Sequence, residues 1–163
     1  MDELQELKKR IRILEDIEAI RNLKAKYCRR NDKKQWDEIG DCFAKDAVLE
    51  VPPVVRCQGR EEIVTFLSEA MTPVIVVHQV HHSEIEITSE TTAKGLWGEY
   101  DQIIDSRANS SSVAYGYYVE EYTKEDGQWR IKYERIDRIY TQLTGVYQAG
   151  ATGDFSVKGN LQR

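Results

Sequence analysis

The chain has 163 residues, of which 40% are hydrophobic and 31% charged, and its formal net charge is −5. This length suits one domain with its own core, and the composition excludes a disordered chain. The acidic balance and the lack of a clustered basic face argue against nucleic acid as a partner.

Helices are predicted in the first half of the chain. Apolar residues recur every three or four positions over residues 3–31, which predicts one long amphipathic helix. Its charged first turns are either a partner-contacting extension or a frayed terminus. They also exclude a signal peptide or membrane span, so we expect a cytoplasmic protein without a membrane partner. A second helix is predicted over 34–42 and a third over 60–71, separated by a short strand at 47–51.

The pattern changes to that of strands after residue 74. Four long runs of strand-forming residues cover 75–88, 91–105, 112–124 and 128–140. Asp126-Gly127 between the last two runs predicts a hairpin turn, because both positions tolerate positive φ. In the last run the apolar residues change from odd-numbered to even-numbered positions, which predicts a bulge near Glu134-Arg135. The order of elements indicates a single α+β domain over 1–163, with helices on one face of a curved sheet and a loose tail over 141–163.

All three histidines fall in one predicted strand. They occupy the segment His78-Gln79-Val80-His81-His82. Strand alternation places His81 on the face opposite to His78 and His82, so the three side chains do not converge on one ion and we expect no metal site. His81 shares its parity with Ile85 and Ile87, which predicts that it faces the interior. A hydrogen-bonded core histidine is the structural alternative.

Four further polar residues lie in apolar surroundings. Asp101 is in phase with Trp97, where an unpaired carboxylate would be unfavourable, and Arg138 raises the same question on the last strand. A simple salt bridge between Asp101 and Arg138 is one explanation. Tyr27 continues the apolar stripe of the long helix, and Asp32 follows the end of that helix. Taken singly, they fit a core tyrosine and a capping residue equally well.

Several segments resemble one known family. The opening of SnoaL-like proteins, in the nuclear transport factor 2-like superfamily, is similar to residues 16–51, DIEAIRNLKAKYCRRNDKKQWDEIGDCFAKDAVLEV. Bacterial bile-acid 7α-dehydratases contain segments similar to HHSEIEITSETTAKGLW at 81–97 and to GQWRI and RIY within 127–140. The resemblance implies a cone-shaped fold, in which a curved antiparallel sheet wraps around N-terminal helices and encloses a deep pocket. The sequence departs from the family most at 51–58 and after Tyr140.

The resemblance also implies a set of catalytic residues. Residues of the matching types are Tyr27, Asp32, His81, Asp101 and Arg138. The hypothesis is that Asp32 accepts a hydrogen bond from His81, within about 3.2 Å, and that neutral His81 removes a proton from carbon in an elimination such as dehydration. Tyr27 would donate to the developing enolate oxygen. Asp101 would assist the leaving hydroxyl, and Arg138 would position an anionic group or Asp101.

The implied substrate is a hydrophobic hydroxy-carbonyl compound, such as a 3-oxo-Δ4 steroid or a bile-acid derivative, and no cofactor is implied. Four aromatic residues are predicted either to line its pocket or to belong to the sheet core: Trp97, Tyr117, Trp129 and Tyr140. The same superfamily contains ketosteroid isomerases, polyketide cyclases and non-catalytic binding domains, which stay open as alternatives. By resemblance we expect a homo-oligomer, with a trimer first and a dimer next.

Overall fold

The structure is a computed structural model that describes residues 2–144 and two short paired strands, Gln148–Ala149 and Phe155–Ser156. Helix α1 spans Glu3–Asp32, and the Asp2 side chain caps it by accepting a hydrogen bond from the Leu4 backbone. The single helix predicted over 34–42 is instead a short helix, α2 (Trp36–Ile39), followed by a 3-10 turn. Helix α3 spans Arg60–Met71, as predicted.

Six strands form one curved, open sheet. They are β1 (Phe43–Val51), β2 (Val55–Gln58), β3 (Ile75–Ile87), β4 (Thr92–Asp105), β5 (Ser110–Glu125) and β6 (Gln128–Leu143). Their order in the sheet is β2-β1-β6-β5-β4-β3. The predicted antiparallel pairing describes every neighbouring pair except β1 and β6, which run parallel. Strand β2 was not expected from the sequence.

Bulges interrupt the regular pairing and bend the sheet. Strand β6 has two bulges in its pairing with β5. One is at Lys132, two residues before the predicted position, and the other is at Ile139. In β3 the register shifts between His81 and Glu84, where His82 has a φ of 50°. The hairpin turn between β5 and β6 is confirmed, since Asp126 and Gly127 both have positive φ.

The helices of residues 2–144 pack on one face of the sheet, which we call the inner face; the opposite face is the outer face. On β4 the inner face carries alternate buried residues, among them Trp97, Glu99 and Asp101. Helix α1 packs on this face through residues such as Ile20 and Tyr27. Side chains on the inner face of the sheet therefore meet those of α1. No helix among residues 2–144 is long and apolar enough to span a membrane.

The C-terminal tail predicted over 141–163 falls mostly outside the described residues. Strand β6 enters it, ending at Leu143.

Candidate active site

An aspartate–histidine pair lies on the inner face, where the end of α1 meets β3. Asp32 Oδ1 is 2.7 Å from Nδ1 of His78 and also accepts a hydrogen bond from the His78 backbone N–H at 3.1 Å. Because a carboxylate can only accept, Nδ1 of the neutral ring carries the proton and Nε2 is left unprotonated. The His78 side chain is 6% exposed and that of Asp32 is 27% exposed. The pair is therefore shielded without being sealed from a ligand.

The expected partner of Asp32, His81, is elsewhere. His81 is exposed on the outer face, where it lines a groove of about 490 Å³ together with His82 and Tyr117. The predicted hydrogen bond between Asp32 and His81 is therefore wrong. The β3 bulge explains the error, because residues before it face inward at Val76, His78 and Val80, whereas residues after it face inward at odd positions.

Two carboxyl groups lie beside His78 on the same face. Asp101 is the cross-strand neighbour of His78, and the next inward residue of β4 is Glu99. Asp101 Oδ2 accepts a hydrogen bond from the Tyr118 hydroxyl at 2.8 Å. Arg138 Nε donates to Glu99 Oε1 at 3.3 Å, so the partner of Arg138 is Glu99 and the expected salt bridge with Asp101 is wrong. The structure thus joins His78, Asp101 and Glu99 in one patch.

The patch contains buried polar atoms with no partner among the described residues. These atoms are Oδ1 of Asp101 and Oε2 of Glu99, and on α1 both side-chain amide atoms of Asn31 also lack a partner. Asn31 directly precedes Asp32 and lies one helical turn beyond Tyr27 on the buried side of α1. Native proteins leave few such groups unpaired, so this cluster indicates a place where water or a ligand supplies the missing hydrogen bonds.

Glu99 is buried, and its surroundings favour the protonated form of its carboxyl group. Burial raises the pKa of Glu99 to about 8, and the nearby Asp101 carboxyl group acts in the same direction, while Arg138 opposes them. A carboxylic acid kept neutral in this way can donate a hydrogen bond or a proton. The carboxyl group also has room, because Gly116 lies under it: a Cβ there would meet Glu99 Oε2 at 2.7 Å.

A buried ion cluster lies deeper on the inner face. Lys24 Nζ of α1 is 2.5 Å from Glu120 Oε1 and 3.0 Å from Glu134 Oε2, with all three side chains fully buried. The Tyr27 hydroxyl donates to Glu134 Oε1 at 3.0 Å, and the Tyr122 hydroxyl donates to Glu120. Tyr27 was expected to donate to an enolate, but this hydrogen bond ties its hydroxyl to the cluster.

The cluster is neutral overall. Burial lowers the pKa of Lys24, but the attraction of Glu120 and Glu134 outweighs burial and raises it above the ordinary value. Burial raises the pKa of Glu134 to about 8, with Lys24 opposing and Glu120 adding to the effect. Burial acts in the same direction on Glu120, yet Lys24 and several hydrogen bonds bring its pKa below the ordinary value. These shifts favour the neutral form of Glu134 and the ionised form of Glu120, which balances the charge of Lys24.

The four aromatic residues predicted to line a pocket do not lie around one common cavity. Trp97 is buried on the inner face and donates to Tyr122 at 2.8 Å, and Trp129 is buried near the start of β6 and donates to Asp16 at 2.9 Å. Tyr117 and Tyr140 are 44% and 51% exposed on the outer face. The prediction that these residues line one substrate pocket is therefore wrong for Tyr117 and Tyr140, since they lie on the face away from His78.

Sequence reasoning missed His78, Glu99, Asn31 and the Lys24 cluster. The signal for His78 was present, because Val76 and Val80 share its parity while Ile85 and Ile87 have the other, the same parity switch that predicted the β6 bulge. Glu99 shares the parity of Trp97 and Asp101, whereas Asn31 gave no comparable signal. Their significance comes from burial without partners, which only the structure provides.

The family follows from a direct match. Residues 12–135 match the family model of the SnoaL-like domain. The chain belongs to the SnoaL-like family. This confirms the coarser part of the resemblance and its cone-like α+β fold.

Solved structures of SnoaL-like fold are similar to this chain. A protein from Novosphingobium aromaticivorans assigned as a scytalone dehydratase is 22% identical, with a TM-score of 0.76 over 80% of this chain and 89% of that one. A hexachlorocyclohexane dehydrochlorinase from Novosphingobium barchaimii is 19% identical, with a TM-score of 0.74 over 82% and 93% of the two chains. A protein of unknown function from Mycobacterium tuberculosis is 22% identical, with a TM-score of 0.69 over 85% and 76%. At these identities the likeness establishes the shared fold.

Proposed function

We propose that this protein is a cofactor-free lyase that eliminates water from a hydrophobic hydroxy-carbonyl compound, with His78 as the base. The observation that carries the proposal is the 2.7 Å contact between Asp32 and His78 beside two carboxyl groups, one of them protonated. The names of two fold neighbours, a dehydratase and a dehydrochlorinase, also denote eliminations. Fold likeness alone would not choose the reaction.

The first step is removal of a proton from the carbon next to the carbonyl, or from its vinylogous position. Nε2 of His78 takes this proton, and the C–H electron pair moves into the carbonyl system to form an enolate. Asp32 stabilises the resulting imidazolium through Nδ1. We assign the side-chain amide N–H of Asn31, which has no partner among the described residues, the role of donating to the developing oxygen anion.

The second step is loss of the hydroxyl group. The enolate electrons return to form the new C=C bond as the C–O bond breaks, and the hydroxyl leaves as water with the proton of Glu99. Asp101 and Arg138 hold Glu99 from two sides, which gives these two predicted residues positioning roles. The proton on His78 then passes through solvent to Glu99, which returns both side chains to their starting protonation states.

The substrate class remains a proposal from the resemblance. A 3-oxo-Δ4 hydroxysteroid or bile-acid derivative has the required hydroxyl and acidic C–H in one rigid apolar molecule. The bile-acid 7α-dehydratase subgroup is proposed on the segments quoted above, and a homo-oligomer is proposed on the same basis.

A second candidate, a ketosteroid-isomerase-like reaction, is favoured by one observation. Protonated Glu99 could hold the enolate oxygen by a hydrogen bond instead of transferring its proton, as neutral carboxylic acids do in isomerase sites. His78 would then return the proton to a different carbon. Both candidates share the first step and differ only in the fate of the hydroxyl.

Glu99→Gln separates these reactions. Incubation of hydroxysteroids and other hydroxy-ketones, free and as coenzyme A thioesters, should give the dehydrated product by mass spectrometry. Glu99→Gln should reduce water loss about 10²-fold or more while exchange of the acidic C–H with deuterated solvent continues, because the amide cannot supply a proton. In the wild type, water loss should fall as pH rises through about 8, where Glu99 beside Asp101, Arg138 and Tyr118 loses its proton.

Two other results would count against dehydration, and one would count only against Glu99 as its acid. A shifted double bond without loss of water would favour the isomerase. Unchanged water loss in Glu99→Gln would remove Glu99 as the acid. Ligand that binds without exchange or reaction would indicate a binding domain.

A further inference from the structure

The N-terminal part of α1 carries an apolar stripe that the domain does not cover. Leu4, Leu7, Ile11 and Leu14 are between 46% and 66% exposed. Their spacing of three, four and three residues places them on one line along the helix. Every residue of α1 before Ile13 is exposed, so this part of the helix projects beyond the sheet.

The stripe is separate from the face of α1 that packs on the sheet. That face is formed by residues such as Ile17, Ile20 and Tyr27. At about 100° per residue, the stripe lies roughly 140° around the helix from it. The stripe residues therefore do not contribute to the core of their own domain. A projecting helical segment this short is only marginally stable in water unless its apolar side is covered.

We propose that the stripe of one chain pairs with the stripe of a second copy, in parallel, as a two-stranded coiled coil. The spacing assigns Leu4 and Ile11 to heptad position a and Leu7 and Leu14 to position d. Isoleucine at a, as at Ile11, together with leucine at both d positions favours two strands in a parallel coil. The stripe has only these a and d residues, which is the width of a coiled-coil seam and not of a face that lies on a core.

The charges beside the seam are complementary in a parallel pair. The g positions hold Glu3 and Arg10, and the e positions hold Lys8 and Glu15, all exposed. In a parallel coil each g residue faces the e residue five positions later on the other chain. Glu3 then meets Lys8 of the second copy, and Arg10 meets Glu15 of the second copy. An anionic membrane is a poorer partner, because Glu3 and Glu15 border the stripe.

This assignment is independent of the proposed reaction and specifies a dimeric contact, whereas the resemblance put a trimer first and a dimer next. It identifies the helix segment 3–17 as an interface and specifies parallel orientation. The alternative interpretation of the charged first turns, a frayed terminus, requires no partner and no fixed register.

Disulfide trapping tests the register. In a parallel pair two Leu7→Cys side chains meet across the seam, whereas two Lys9→Cys side chains point away from it. All three native cysteines are buried, so the unsubstituted chain provides the background. Under mild oxidation at micromolar concentration, Leu7→Cys should form a covalent dimer at least about ten times faster than Lys9→Cys. Equal rates would overturn the proposal, as would faster linkage of Leu7→Cys to Ile11→Cys than to itself, which indicates an antiparallel pair.

A charge exchange provides the second test. Glu15→Arg places two positive charges opposite each other and should weaken self-association severalfold in sedimentation experiments. The double variant Arg10→Glu with Glu15→Arg restores opposite charges in the parallel register and should recover association. If the double variant associates no better than Glu15→Arg alone, parallel pairing is wrong. The thermal unfolding midpoint is the control for folding, since both residues are exposed.

Discussion

His78→Ala should reduce turnover about 10²- to 10⁴-fold, the range expected for loss of a general base, whereas His81→Ala should leave turnover nearly unchanged. The two histidines are three residues apart on β3, yet only His78 lies on the inner face in contact with Asp32. Steady-state rates of both variants on the same substrate provide the comparison.

The His81 variant is the matched control, because it removes the same side chain from the same strand. Circular dichroism should show both variants folded. Comparable losses in both variants, or a loss only in His81→Ala, would reject the assignment of His78 as the base.

Lys24→Met should lower the free energy of unfolding by about 3–5 kcal/mol, because it leaves the ionised Glu120 carboxylate buried without its cation. Removing both members, as Lys24→Met with Glu120→Gln, should recover most of that loss, since Glu134 already carries a proton. Urea unfolding at neutral pH measures both variants.

Lys94→Met is the control for this prediction, as Lys94 is exposed on β4 and should tolerate the change. If Lys24→Met unfolds like Lys94→Met, the cluster does not stabilise the fold. If the double variant is less stable than Lys24→Met, the assignment of charges within the cluster is wrong.

Most of the secondary structure follows from periodicity. Helix α3 and strands β3 to β6 are long enough for apolar residues to repeat several times, so their patterns are distinct. The short elements α2 and β2 contain too few residues for a repeat. The parallel contact between β1 and β6 joins segments distant in sequence, and nothing in either segment predicts it.

The candidate site was predicted in part, and the error has a local cause. Asp32 and Asp101 do lie close to a histidine on the inner face. The wrong histidine was chosen because inward-facing positions were counted back from Ile85 to His81, and a bulge lies between them. A single inserted residue reverses every earlier assignment on the strand. Parity is therefore reliable only within an unbroken stretch of pairing.

The buried cluster shows a different limit. Lys24 interrupts the apolar stripe between Ile20 and Tyr27, so its position was visible in the sequence. The role of Lys24 depends on Glu120 and Glu134, which are cross-strand neighbours under that turn of α1. A sequence pattern gives the face on which each charge lies, but the register that brings opposite charges together comes from the assembled sheet.

The central claim is that Asp32 fixes His78 with its proton on Nδ1 and leaves Nε2 free to act as a base. Long-range nitrogen–proton NMR correlations distinguish the two neutral tautomers without any substrate. In nitrogen-labelled protein near pH 8, we expect His78 as the Nδ1–H tautomer and a change of its signals in Asp32→Asn, while the exposed His81 stays the same. A His78 ring that carries its neutral proton on Nε2, or that is unaffected by Asp32→Asn, would contradict this account.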